Sequence, residues 1–286
     1  MARPAIVQGE GQIGFYWSAA GRPVTLAELV RTDDEPERLL PTHLEALDDA
    51  LIIAAGRFGE LLGGGRRPTG PERSGLADLH RAVDRSIHEY AVAAEELGTP
   101  IETRAGQIVG TAALVSVLAR EPIGLLGPAP LDGTLDPPSA GVVGGFGELA
   151  TVAPDRPWLG GRWTVRTVDG RRLPATLSML LFDSSGVYKD AALDEHRALL
   201  RATAEAAASP EADPLGAACA IDWLLYDWLR AHQDGPDSAA IELKGGAADA
   251  ELVVRAAAAS IRARALFDPG LLRLAAAVHP WPSPAG

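Results

Sequence analysis

The sequence predicts an α+β protein that is predominantly helical. Three observations carry that reading. Long stretches place apolar residues every three or four positions, the period of an amphipathic helix. Two short stretches, 5–17 and 162–183, run apolar on either side of a glycine turn, as β-hairpins do. Between the main helical stretches, residues 121–160 hold Pro122, Pro128, Pro130, Pro137, Pro138, Pro154 and Pro157 among many glycines, and so divide the chain. The expected organisation is a mainly helical region over 1–120 with its own N-terminal hairpin, a Gly/Pro-rich connection or covering loop over 121–160, and a unit over 161–286 in which a β-hairpin packs on helices.

Taken in order, the chain opens on Ala5-Ile6-Val7-Gln8-Gly9-Glu10-Gly11-Gln12-Ile13-Gly14, an apolar run leading into G-x-G-x-x-G. A dinucleotide-binding turn of this form works when its last glycine opens a helix whose N-terminus receives a pyrophosphate. Here Phe15-Tyr16-Trp17 follows, and aromatic residues favour a strand. A hairpin turning at Gly9-Glu10-Gly11 is therefore expected instead. Thr25-x-x-Glu28 has the capping-box form and predicts a short helix. Thr42-x-x-Glu45 repeats it and predicts a longer helix to about Leu62, with Leu44, Leu47, Leu51, Ala54, Phe58 and Leu61 on one face. A second long helix is predicted from about Ser74 to Leu97, closed by Gly98 and Pro100. A third covers about 103–119. Three antiparallel helices would bury one another's stripes.

In the second half, Trp163, Val165 and Thr167 alternate with polar neighbours, as do Leu173, Ala175, Leu177, Met179 and Leu181. A two-residue turn at Asp169-Gly170 would put the two apolar sets on opposite faces of the sheet. A three-residue loop or a bulge restores a common face, so odd positions should oppose odd positions. Pro174 cannot donate to a ladder and predicts an open edge there. Helices follow at about 190–207, 214–232 and 249–267. Asp213-Pro214 supplies a cap followed by proline at the first helical position. Ile241 to Leu243 reads as a short strand, and Asp268-Pro269 as the start of a short helix to about Val278.

Composition narrows the function classes. A formal net charge of −12 repels phosphate backbones and excludes non-specific nucleic-acid binding. The single cysteine, Cys219, excludes an internal disulfide framework and a cysteine-based zinc cluster, and reads as a buried structural residue. The longest smooth apolar stretch, Ile108 to Ala119, falls short of the roughly 20 residues that span a bilayer. The expectation is a soluble cytoplasmic protein whose partner is a small molecule or another protein. Self-association stays open, and neither a membrane nor a nucleic acid is expected.

Candidate chemistry sits in three places. Asp183-Ser184-Ser185-Gly186-Val187-Tyr188-Lys189-Asp190 joins the long strand to a helix, a position that often carries catalytic groups. Asp183, Tyr188 and Lys189 would supply a base, an acid and a positive charge there, with His196 two turns further on. Trp223, Tyr226 and Trp228 combine apolar bulk with polar handles and would line a ligand pocket. His80-x-x-x-Asp84-x-x-x-His88 has metal-like spacing. At about 100° per residue only His80 borders the apolar stripe, so His88 is expected to face water. That leaves His80 and Asp84 as weak metal candidates on an otherwise solvated face, with no cofactor implied. Two function classes follow: a small-molecule enzyme or binder using acid–base residues near the 183–196 turn, or a non-catalytic protein-interaction or assembly module. An NAD(P)-dependent enzyme ranks third.

Overall fold

Phe15-Tyr16-Trp17 is extended, as its aromatic run predicts. The computed structural model describes residues 3–9, 12–19, 22–62, 68–125, 148–151, 161–166, 172–175, 177, 190–209, 213–231, 241 and 243–272. Strand β1 (Arg3–Gly9) pairs antiparallel with β2 (Gln12–Ala19), Gly9 opposite Gln12 and Val7 opposite Gly14. A short third strand, β3 (Arg22–Val24), lies on the other side of β2 with Val24 opposite Trp17; its three residues carry too little pattern to be foreseen. Gly14 is thus inside a strand, and the helix mouth that a pyrophosphate needs is not formed after it. Helix α1 (Leu26–Val30) starts on the expected capping box. The Glu28 N–H donates to Thr25 Oγ1 at 3.0 Å and the Thr25 N–H to Glu28 Oε2 at 3.1 Å.

Helix α2 (Leu39–Leu62) begins earlier than the Thr42 signal predicts. The Thr42 hydroxyl donates to the Arg38 carbonyl four residues back at 3.0 Å, so it lies inside the helical stretch and caps nothing. Pro41 is accommodated because N–H groups in a first turn have no intrahelical acceptor. Helix α3 (Gly70–Leu97) also starts early, on a capping box between Thr69 and Glu72, and ends at Gly98 with φ of 61°. Helix α4 (Thr103–Arg120) is buried on nearly every side. After the connecting segment come α5 (Asp190–Ala207), α6 (Pro214–Ala231) and α7 (Ala247–Ala265). The Gly216 N–H donates to Asp213 Oδ1 at 3.1 Å, the expected cap before Pro214.

Helix α7 packs on α3, α4, α5 and α6, while α4 packs on α2, α3, α6 and α7. Leu76, Ile87, Val109, Leu114, Leu193, Ile221, Trp228 and Val253 belong to one apolar cluster, so helices from both ends of the chain build a common core. The tightest approach is between α4 and α7, where a side chain on Gly106 would collide with the Cα and Cβ of Ala250.

A second antiparallel sheet comprises β4 (Glu148–Thr151), β5 (Gly161–Arg166) and β6 (Arg172–Ala175), in that order. Trp163 opposes Ala175 and Val165 opposes Leu173, the odd-on-odd register. Pro174 sits on the edge strand, as required. The expected long strand through Leu181 is cut short. It ends at Ala175, and Leu177 is helical, its N–H donating to Asp227 of α6 at 2.7 Å and not to a ladder. Within 121–160 the structure adds β4 and a 3₁₀ turn, Glu121–Ile123, that composition alone did not resolve. The helix expected to open at Asp268-Pro269 does not start there: Pro269 to Leu272 form a turn and a bend, and the remainder to Val278, like Met179 and Leu181, lies outside the described residues. Among the described residues no helix is long and apolar enough to cross a membrane.

Candidate functional site

The polar residues expected on a solvated face of α3 are in the core. Asp84 is 1% exposed and His80 4%. The physical reason is that α3 is covered on more sides than its apolar stripe spans, by α1, α2, α4, α7 and β2. Polar side chains fill the remaining arc and find partners there. Ser116 Oγ of α4 donates to Asp84 Oδ1 at 2.6 Å, and Arg264 Nη1 of α7 donates to Asp84 Oδ2 at 2.6 Å. His80 Nδ1 lies 3.2 Å from the same Oδ2. The chain of charges continues. Arg264 Nε is 3.6 Å from Asp222 of α6, which accepts from Arg120 of α4 and from the Ser260 hydroxyl of α7. Four helices thus share a buried cluster of two aspartates and two arginines.

Burial alone would raise the Asp84 carboxyl, yet the Arg264 guanidinium, the His80 hydrogen bond and Arg120 hold it well below the usual carboxylate range. Burial likewise disfavours the charged form of Arg264, but Asp84 and Asp222 more than reverse that. An ionised carboxylate only accepts hydrogen bonds, so the His80 proton sits on Nδ1. Its Nε2 is buried with no hydrogen-bond partner. Both Asp84 oxygens are already engaged, and among the described residues no three histidines, cysteines or carboxylates gather where they could hold a metal ion.

His88 does not project freely into water as the spacing predicts. It is half-buried, with Nδ1 enclosed and unpartnered, and burial followed by the nearby Arg262 lowers its pKa. Of the four expected acid–base residues, Asp183, Tyr188 and Lys189 lie outside the described residues. His196 is fully buried on α5, its Nε2 2.9 Å from the Leu224 carbonyl and its ring edge-on to Trp228 at 6.3 Å between centroids. Trp223 and Tyr226 are half-buried and pack edge-to-face at 5.7 Å. Trp228 is in the core. Cys219 is only partly buried, against the expectation of a core thiol.

Among the described residues an accessible concavity lies elsewhere. An open groove of about 1230 Å³ runs between the C-terminal part of α3, α5 and α7. Its apolar lining is mostly alanine, with Ala91 and Ala94 from α3, Ala204 from α5, Ala258 and Ala259 from α7, beside the larger Leu252 and Val254 of α7. Its rims are charged, with Glu95, Glu205, Glu251, Arg201, Arg255 and Arg262. Glu251 and Arg255 pair with each other at 2.6 Å. Sequence reasoning missed this groove because it depends on how three helices far apart in the chain are placed. Its signal was the alanine content of their outward faces.

Two further buried groups join the periphery to the bundle. Glu89 of α3 accepts the Leu26 N–H at the start of α1 at 3.0 Å, and burial pushes its pKa up to about 7. Trp17 Nε1 donates to His43 Nδ1 at 2.9 Å, so His43 Nε2 carries the proton and donates to the Ser86 carbonyl at 2.9 Å. No protein-family model, curated protein or solved structure matches this chain.

Proposed function

We propose that this protein acts by binding another protein, as an interaction or assembly module, and that the groove between α3, α5 and α7 is its working surface. The observation that carries this reading is the groove's form. It is a partly open groove, lined mostly by alanine and rimmed by charge. Its volume of about 1230 Å³ exceeds the roughly 300–1,000 Å³ of a pocket that encloses a small ligand. Among the described residues that line it, the ionisable groups are glutamates and arginines. A photoreactive p-benzoylphenylalanine placed at Ala208 or Ala248 in the groove, and at the exposed Ile52 of α2 as control, tests the reading in cells of the organism that encodes the chain. Adducts to one protein from both groove positions and not from Ile52 support it. Adducts from neither groove position, or equal adducts from all three, overturn it.

Acid–base chemistry on a small organic molecule is the second reading, and one observation favours it. His80 is oriented by Asp84 through Nδ1 and keeps Nε2 without a hydrogen-bond partner, so a local opening that bares this buried nitrogen would give it the form of a general base. A panel of small metabolites screened by thermal shift would raise the melting temperature of the wild type and not of His80→Gln. A panel that shifts neither protein, or both alike, removes this reading.

A further inference from the structure

Helices that lie side by side approach most closely where their facing side chains are small. Alanine from three helices lines the groove beside Leu252 and Val254, so an occupant approaches most closely over the alanine positions, toward the short end of the usual 8–10 Å. A helix about 10 Å across rises 1.5 Å per residue, so the groove's volume accommodates roughly eleven residues, or three turns. An extended strand would leave most of that width unfilled and would find no free sheet edge among these helices.

Charge adds the second constraint. The rims hold three carboxylates and three guanidiniums and are neutral together, on a chain whose net charge is −12. An acidic partner repelled by most of the surface is not repelled here. Arg255 is neutralised by Glu251, but Arg201 and Arg262 make no ion pair among the described residues. Arg262 stands at the α3–α7 end of the groove, close enough to His88 to disfavour its charged form. A guanidinium in that position pairs best with a carboxylate, which it meets with two parallel hydrogen bonds.

Resting on the binding reading above, we infer that the groove seats one amphipathic α-helix of a partner protein, about three turns long, with small side chains against the alanine positions and a carboxylate on Arg262. This is the helix-in-groove mode of recognition with small anchors in place of large ones. The test starts from the partner segment cross-linked at Ala248, synthesised as a free peptide and titrated into the full-length chain. The expected result is a gain of helical circular dichroism on binding and an affinity at least tenfold weaker for Arg262→Glu. Exchanging the peptide's acidic residue for lysine should restore binding to that variant. Arg262 is exposed, so its replacement leaves the core intact, and far-ultraviolet dichroism of the variant alone verifies this.

A peptide that binds without becoming helical, or that ignores Arg262→Glu, overturns the inference while the binding reading survives. Adducts that map to a second copy of this chain do the same. Absence of any groove-specific adduct removes both.

Discussion

At the scale of single residues, Asp84 has the largest consequences. Its two oxygens satisfy a hydroxyl, a guanidinium and an imidazole in the core. Replacing it by alanine strands Arg264 in the core, and breaking a buried pair from one side costs about 3–5 kcal/mol. Urea denaturation of Asp84→Ala should show that loss, and Arg264→Met should show a comparable one. The carboxyl is held below its ordinary range in the folded state, so the unfolded chain binds the proton more readily. Its contribution is therefore complete above the ordinary carboxylate pKa of about 4 and drains away as pH falls below it. An acid titration of stability should be visibly flatter below pH 4 for Asp84→Asn than for the wild type. These residues were partly legible. Asp222 stands in a helix apolar nearly all round, and an acid in such a place needs a partner. What the sequence withheld was the identity of that partner, because Arg120 is 102 positions away. The helical-wheel argument misplaced Asp84 for a related reason: it locates the apolar stripe, not the number of neighbours wrapped around the helix.

At the scale of elements, the N-terminal sheet and α1 are docked on α2 and α3 by two groups that titrate in opposite senses. Burial raises Glu89 from an ordinary value of 4.5 to about 7, against the Leu26 N–H and Arg85 and with a small push from Glu28. The folded state then holds the proton more tightly, and stability is fully present below about pH 4.5 and lost as pH rises through 7. Burial lowers His43 from 6.5 to about 4, against the Ser86 hydrogen bond. There the unfolded state binds the proton more tightly, and stability is present above pH 6.5 and lost as pH falls toward 4. Each contribution is of order 3 kcal/mol, and over pH 4.5–6.5 they offset one another. Each single replacement should expose the other slope. Urea midpoints followed by tryptophan fluorescence should rise between pH 4.5 and 6.5 for Glu89→Gln and fall for His43→Gln; parallel slopes would refute the offset. The α4–α7 contact makes a simpler prediction. Gly106→Ala collides with the Ala250 Cβ and backbone, at a cost of about 1–3 kcal/mol. Combining it with Ala250→Gly should recover part of the loss in the thermal midpoint. Elements were the most legible level. The N-terminal hairpin of β1 and β2, the odd-on-odd register around Trp163 and the stop at Gly98 all follow from local turn and cap chemistry. The starts of α2 and α3 did not, since Thr42 and Thr69 both carry the capping pattern and only the backbone distinguishes them.

At the scale of the whole molecule, the helices of 1–120 and of 161–286 supply one apolar cluster and one ionic chain. Expressed separately, residues 1–125 and 161–286 should each give a broad, non-cooperative thermal transition. A sharp transition for either half alone would show that its part of the core is sufficient. This level was the least legible, because amphipathic periodicity states that a helix has a buried face without stating against which helix. The α3–α5–α7 groove was invisible for the same reason. The Asp84–Arg264 pair, separated by 180 positions, carries a consequence for how the protein is made. At about 5–20 residues per second, the ribosome exposes Asp84 roughly ten to forty seconds before Arg264 exists. During that interval Asp84 has His80, Ser116 and Arg120 but not the guanidinium on its Oδ2, so closing α3 and α4 over it costs more than in the finished chain. Completing that pair falls to α7, the last of the described helices to emerge, whose arrival supplies the charge that lets the seam close at its lowest cost.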